Sequence, residues 1–245
     1  MDGFFGGGQM ELKRFFSFEP IKNNRIVLKG NEFFHAVKVC RLKKGFKIIV
    51  NNNTENDYYC TIENIEKTFL TAVIDEIKVN DTFADTNITL FIAMCKDMDT
   101  VVQKAVEMGV TRLVPFFSKN TNEKKLKKDR LEKIVLESSK QCGRPNLMVL
   151  EDICEFEDAI ERAQEFDKAL IYFELEREEK TASHLSPKDE KLGIMIGSEG
   201  GFDLEEIQKA EKAGWKTATL GKRILRVATA VVAALALCLQ GMDKI

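Results

Sequence analysis

The sequence predicts two units, a small β-rich one followed by a larger α/β one. Three observations carry this. Between Lys13 and Lys78, short runs of β-branched and aromatic residues recur between turn residues, with room for one short helix. From Ile88 onward, apolar strand-like runs alternate with segments of helical period, as in a parallel sheet covered by helices. A pair of glycine-hinged loops in this larger unit, Gly197–Gly201 and one at Gly221, each follow a strand-like run. The expected boundaries are 11–80 and 85–245, with the polar, turn-like Asn80–Asn87 between them.

The first ten residues, MDGFFGGGQM, carry a glycine run and no period, and read as a loose extension. Lys13–Phe16, Arg25–Leu28, Lys47–Val50, Tyr58–Ile65 and Leu70–Lys78 are the strand candidates of the first unit. Asn31–Leu42 reads as one short helix with Asn31 as N-cap and Phe34, Val37 and Leu42 as its apolar face. His35 lies in it beside basic residues. It reads as a phosphate contact or a partly buried structural histidine, and the second is favoured because no acidic or nucleophilic partner is near in sequence.

Ile88–Met94 (ITLFIAM) suits a buried parallel strand. Asp99 is the expected cap of a helix over Thr100–Met108, with Gly109 just past its end. Arg112–Phe116 is the next strand, then a helix around Lys128–Gln141, a short strand at Asn146–Leu150, an acidic helix at Phe156–Phe166 and a strand at Ala169–Phe173. Glu174–Lys188, with His184, reads as a charged loop. Leu192–Ile196 is a strand, Asp203 caps a helix begun by Leu204–Ala210, Thr217–Leu220 is a short strand, and Val227–Gln240 is a buried apolar helix too short to span a bilayer.

At 245 residues, 44% hydrophobic and 31% charged with four prolines, the composition is that of a folded globular chain. A net charge of -2 neither demands nor excludes a nucleic-acid partner, but the charge is uneven. Between Glu11 and Val50 ten bases face three acids, while between Glu151 and Lys180 twelve acids face four bases. Lys119–Lys133 is a second basic run. Both runs read either as solvated faces or as contacts for an anionic partner, which would meet the first unit first. Six cysteines form no CxxC pair, and the two histidines stand far apart, so no metal site is expected. Free thiols in a cytoplasmic protein are the simplest account.

GSEGGF at Gly197–Phe202 is by itself open to two readings, a structural turn or a close approach of backbone to ligand. It has neither the GxGxxG nor the GxxxxGK[ST] spacing of phosphate-binding folds. LGKRILR at Leu220–Arg226 adds Lys222, Arg223 and Arg226 beside another glycine after a strand, and strand carboxyl ends are where open α/β sheets bind ligands.

IGSEGGF together with LGKRILRVATA resembles the C-terminal signature of the RsmE family of 16S ribosomal RNA methyltransferases. KRFF at Lys13–Phe16, HAVKVCRLKKG from His35 to Gly45, Lys96 with QKAVEMGV from Gln103 to Val110 and Pro115, and SSKQCGR at Ser138–Arg144 resemble further family segments in order. The resemblance implies an α/β fold of the SPOUT class with a deep trefoil knot, preceded by a PUA-like β-barrel. It also implies a homodimer and S-adenosylmethionine as donor, with methylation at uridine N3 in the small ribosomal subunit.

On that basis the cofactor is expected at Phe173, Ile196, Gly197, Gly200, Gly201, Leu220, Gly221, Ile224 and Leu225. Arg226 is expected to stabilise charge on the target base or hold its phosphate, and Glu199 to be a candidate base or a support of the loop. RNA contacts are expected at Arg14, Arg25, His35, Lys38, Arg41, Lys96, Arg144 and Arg223. Two departures stand out: Ser198 where the family usually has proline, and Ala228 where it usually has glutamate. The second removes a carboxylate beside the catalytic loop. Activity at another RNA position, or a catalytically impaired RNA-binding homologue, are the alternative readings. An ordinary nucleotide-binding α/β enzyme is disfavoured by the missing phosphate-loop spacings.

Overall fold

The computed structural model describes residues 12–123, 125–176 and 184–244. The extension before residue 11 and the centre of the charged loop lie outside them. The chain divides into one compact unit up to Phe83 together with Gly143–Asn146, and a second comprising Ala84–Cys142 and the remainder from Leu147.

In the first unit, β1 (Arg14–Phe16), β2 (Arg25–Lys29), β3 (Lys47–Asn51), β4 (Asn56–Ile65) and β5 (Phe69–Val79) form a sheet of order β1-β3-β4-β5-β2. β1 and β3 run parallel and the other pairs antiparallel. Ser17 Oγ donates to Val27 O at 2.7 Å, tying the two edge strands. Alternate residues point inward: Ile26 and Leu28 from β2, Cys60 and Ile62 from β4, Leu70 and Ala72 from β5.

The expected single helix over Asn31–Leu42 is corrected. A short α1 (Gly30–Phe34) passes into a π-helical turn, His35–Val39, and Lys29 rather than Asn31 is the N-cap. The wider turn rotates the face: Ala36 is buried, whereas Phe34, expected inside, is exposed. His35 packs edge-on against Phe15, ring centroids 5.8 Å apart, in keeping with a structural role.

Asp57, buried on β4, accepts bonds from Arg14 Nη1 (2.5 Å), Asn51 Nδ2 (2.6 Å) and Asn80 Nδ2 (2.9 Å). Burial pushes its carboxyl up, but these three donors together outweigh burial and hold it below the usual carboxylate range. A depressed folded-state pKa contributes stability that is complete above the unfolded value, about 3.9, and is lost as pH falls through the folded value. Thermal melts of the wild type are therefore expected to fall more steeply below about pH 4 than those of Asp57→Asn. Parallel curves would exclude Asp57 as a source of the acid sensitivity.

The second unit is built on a parallel sheet of order β12-β10-β11-β6-β7-β8, with β9 also paired to β7. Its strands are β6 (Ile88–Ala93), β7 (Arg112–Phe117), β8 (Val149–Leu150), β9 (Cys154–Glu155), β10 (Lys168–Tyr172), β11 (Leu192–Ile196) and β12 (Lys216–Ala218). Its helices are α2 (Met98–Glu107), α3 (Lys128–Cys142), α4 (Phe156–Glu161), α5 (Leu204–Ala213) and α6 (Val227–Gly241). β6 is buried at all six positions. Ile88, Leu90 and Ile92 meet the core shared with α2, α3 and α6, while Phe91 and Ala93 meet the core shared with α4 and α5. The two-residue period thus feeds both faces, and the run reads as continuously apolar for that reason.

Several boundaries move. α2 begins at Met98, so Asp97 rather than Asp99 is the N-cap, its Oδ1 accepting from Thr100 Oγ1 at 2.6 Å. The strand expected over Asn146–Leu150 is only Val149–Leu150, which pairs with Arg112 and Leu113 of β7. The helix expected over Phe156–Phe166 is α-helical to Glu161 and 3-10 over Arg162–Glu165. The strand expected at Thr217–Leu220 is Lys216–Ala218, which leaves Leu220 in the following loop. Asp203 does cap α5: its carboxylate accepts from Glu206 N at 2.9 Å, and Glu206 Oε2 accepts from Asp203 N at 3.0 Å. All six cysteines are free. Burial pushes the Cys60, Cys95 and Cys238 thiols up to about 12, so they are packing groups rather than nucleophiles. No helix of the described residues is long and apolar enough to cross a membrane.

Candidate active site

β12, β10, β11 and β6 are neighbours and parallel, so their carboxyl ends share one edge of the sheet. Four loops leave that edge: Lys96–Asp97 after β6, Phe173–Glu174 after β10, Gly197–Phe202 after β11, and Leu220–Arg226 beyond β12. Together with the first turn of α6 they line a cavity of about 680 Å³, inside the rough range of small-molecule sites. All nine residues expected at the cofactor line it, as do Arg226, Glu199, Lys96 and Arg223.

The glycine loop is held from two sides. Glu199 Oε1 accepts from Lys96 N at 2.9 Å, binding it to the loop after β6. Asn120, in the loop after β7, donates from Nδ2 to Gly200 O at 3.2 Å. Ser198 Oγ donates to Asn120 O at 3.0 Å, a bond that proline at this position cannot make. A Cβ on Gly200 would stand 2.8 Å from Asn120 Cβ, and one on Gly197 would stand 3.3 Å from the Gly201 backbone. Hydrogen-bonded backbone and close approach thus explain why glycines mark the loop. The start of α5 is fixed by Lys119, whose Nζ lies 2.5 Å from Asp203 Oδ2 and whose N donates to Glu206 Oε1 at 2.9 Å.

The walls differ in character. Ile196 and Phe173 are buried, Leu220 and Leu225 half-buried, and Ile224 is 89% exposed at the rim. Arg223 and Arg226 are exposed, and neither forms an ion pair among the described residues. Arg226 is the N-cap of α6 and makes no side-chain cap bond, and no acid lies in the first turn, where Ala228 sits.

The residues expected at RNA fall into two groups. Lys96 and Arg223 are in the cavity wall. Arg14, Arg25, His35, Lys38, Arg41 and Arg144 are in the other unit. Lys38 and Arg41 are exposed. Arg14 pairs with Asp57, Arg25 with Glu63, and Arg144 is 3% exposed with Nε on Asn146 Oδ1 at 3.1 Å. The basic run at Lys119–Lys133 is likewise partly neutralised, Lys119 by Asp203, Lys128 by Asp152 and Arg130 by Asp99. Sequence reading missed Asn120, Tyr172 and Glu174. Nothing in the local sequence marks Asn120. Tyr172 and Glu174 carry only a positional signal, the carboxyl end of a buried strand.

A family described as an RNA methyltransferase domain matches residues 83–239, and one described as an RNA methyltransferase PUA domain matches residues 28–75. The chain is 34% identical over 237 residues to "Ribosomal RNA small subunit methyltransferase E" of Mesomycoplasma hyopneumoniae (strain 232), covering 94% of this chain and 100% of the relative. It is 27% identical to the Bacillus subtilis (strain 168) protein of the same name, covering 85% and 87%. A crystal structure of "Ribosomal RNA small subunit methyltransferase E" from Neisseria gonorrhoeae, bound to S-adenosyl methionine, superposes with a TM-score of 0.85 at 28% identity, covering 94% and 97%.

Proposed function

The chain belongs to the family of ribosomal RNA small subunit methyltransferase E, and from that premise we propose that it methylates N3 of one uridine in 16S ribosomal RNA, with S-adenosylmethionine as donor. The coarser activity, S-adenosylmethionine-dependent methylation of ribosomal RNA, is that of the family. The observation that carries the reading is the meeting of both glycine loops, the end of β10 and an unpaired arginine at one cavity.

The cavity fits the donor. Phe173, Ile196, Leu220, Ile224 and Leu225 would offer apolar surface for an adenine, and the backbone N–H and C=O groups of Gly197, Gly200, Gly201 and Gly221 would meet its polar edge. S-adenosylmethionine supplies a methyl group made electrophilic by its sulfonium. The protein's role is to place uridine N3 in line with that carbon. N3 carries a proton at neutral pH, and its loss leaves negative charge on the base. Arg226 at the rim stabilises that charge. Glu199 acts as the tie between the loop after β6 and the glycine loop, since its Oε1 is occupied by Lys96 N.

Lys38, Arg41, Lys96 and Arg223 hold RNA phosphates in this reading. The deep knot belongs to it too. Its support is that β11 lies between β10 and β6 while β12 returns to the far side of β10. A homodimer is supported by α6: Val231, Ala234, Leu235 and Cys238 are buried within the unit, yet Leu237 on the other side is exposed and apolar.

Purified protein with labelled S-adenosylmethionine and small subunits lacking the modification is expected to yield 3-methyluridine. Another modified nucleoside would overturn the choice of N3. Cofactor binding without transfer would favour an impaired homologue, consistent with Ala228 in place of the family glutamate. Arg226→Ala is expected to lower transfer by roughly tenfold to a hundredfold, the worth of one charged hydrogen bond, while cofactor affinity stays within about twofold. Equal losses in both would sink the role given to Arg226.

A further inference from the structure

Phe18, Phe34 and Phe46 are exposed, and all three lie in the first unit; no aromatic side chain of the second unit is exposed among the described residues. Phe34 is 59% exposed and Val39 60%. Phe34 ends α1 and Val39 ends the π-helical turn. That turn is closed by a five-residue bond, Cys40 N to His35 O at 2.9 Å. Phe34, Lys38 and Val39 lie within six residues on these two turns, and all three are exposed.

Arg41 follows directly and has φ +54°. The other non-glycine residues with positive φ among the described residues are Asn23, Asn24, Asn53, Asn87 and Asp243, all of types that tolerate this region. Arginine does not favour it. The conformation is held by Leu42 N donating to Ala36 O at 3.0 Å, and it leaves Arg41 exposed. Unfavourable backbone kept in place on a surface turn points to function.

The charge of the face is one-sided. Lys38, Arg41 and Lys43 are exposed and form no ion pair among the described residues. The only acid between Lys29 and Lys47, Glu32, is buried with Oε2 accepting from Phe16 N at 2.8 Å. A flat apolar ring among unpaired cations suits a polyanion that shows its own flat apolar faces. Unpaired nucleotides do so, whereas a duplex hides its base faces and offers phosphate alone.

We propose that this face binds an unpaired stretch of the RNA substrate, one base stacking on Phe34 and the flanking phosphates meeting Lys38 and Arg41. The proposal rests on the RNA-methylating reading above and names how the first unit grips that RNA.

The test uses the full chain carrying Phe34→Ala, Phe34→Leu or Phe34→Tyr. Because the ring is exposed, all three are expected to melt with the wild type. The alanine and leucine variants are expected to raise KM for small subunits about tenfold, with kcat and cofactor affinity unchanged, and tyrosine to stay within about twofold of wild type. An unchanged KM in the alanine variant overturns the proposal, as does a leucine variant equal to wild type, which would mean a merely apolar contact. A photoreactive benzoyl group at position 34 is expected to cross-link to ribosomal RNA; cross-linking to a ribosomal protein instead overturns it. Should the wild type transfer no methyl group, the proposed activity fails. Filter binding of the same variants to small-subunit RNA then still decides the stacking contact.

Discussion

Gly197→Val is expected to weaken S-adenosylmethionine binding by at least about a hundredfold, measured by titration calorimetry. A Cβ at this position already stands 3.3 Å from Gly201 C and Cα and from the Phe202 ring. The first two are backbone and cannot swing aside, and valine adds two methyl groups beyond the Cβ. The loop must therefore shift outward into the cavity, where the cofactor's backbone contacts would lie. A ligand that depends on hydrogen bonds to fixed backbone loses several at once, and each net bond is worth about 0.5–1.5 kcal/mol. Phe202 is buried, so the variant's fold must be checked by its melting curve. Ile224→Ala supplies the control: the side chain is 89% exposed, so its loss leaves folding untouched and removes only ligand contact, expected at roughly fivefold. Wild-type affinity in both variants would place the cofactor elsewhere.

Trp215→Ala is expected to destabilise the second unit by about 3–5 kcal/mol, read from urea unfolding followed by circular dichroism. Trp215 precedes β12 and is 1% exposed. Its ring meets Phe91 edge-on, centroids 5.3 Å apart, and its Nε1 donates to Ile160 O at 2.9 Å. Removing it opens a cavity against β6 and takes one of two donors from Ile160 O, which keeps a backbone N–H at the end of α4. Trp215→Phe keeps most of the volume and loses only the hydrogen bond, so it should cost less than half as much. Equal costs would mean that the indole N–H, not packing, dominates. As the chain's single tryptophan, it also reports wild-type unfolding by fluorescence.

Legibility followed length and period. Ile88–Met94, Leu192–Ile196 and the apolar run of α6 were readable because their pattern is set by burial alone. Asp203 was readable as a cap because capping uses residues three apart in sequence. The turn after α1 was not, since a π-helical turn differs from an α-helical one by a single register step. That step exposes Phe34 where helical period places it inside. The pairing of Arg14 with Asp57 and of Arg25 with Glu63, and the burial of Arg144, were equally hidden. Whether an arginine meets solvent or a carboxylate such as Asp57 depends on a residue 43 positions away.

The sequence by itself determined most of the stretches that become strands and helices, and that the two glycine loops follow strands. Those properties come from side-chain period and backbone freedom, which are local. Only the tertiary structure decided that β12, β10, β11 and β6 lie side by side, which brings Lys96, Phe173, Gly197 and Arg226 to one cavity. Strand order is settled by which apolar faces pack together across more than a hundred residues, and no local pattern records it.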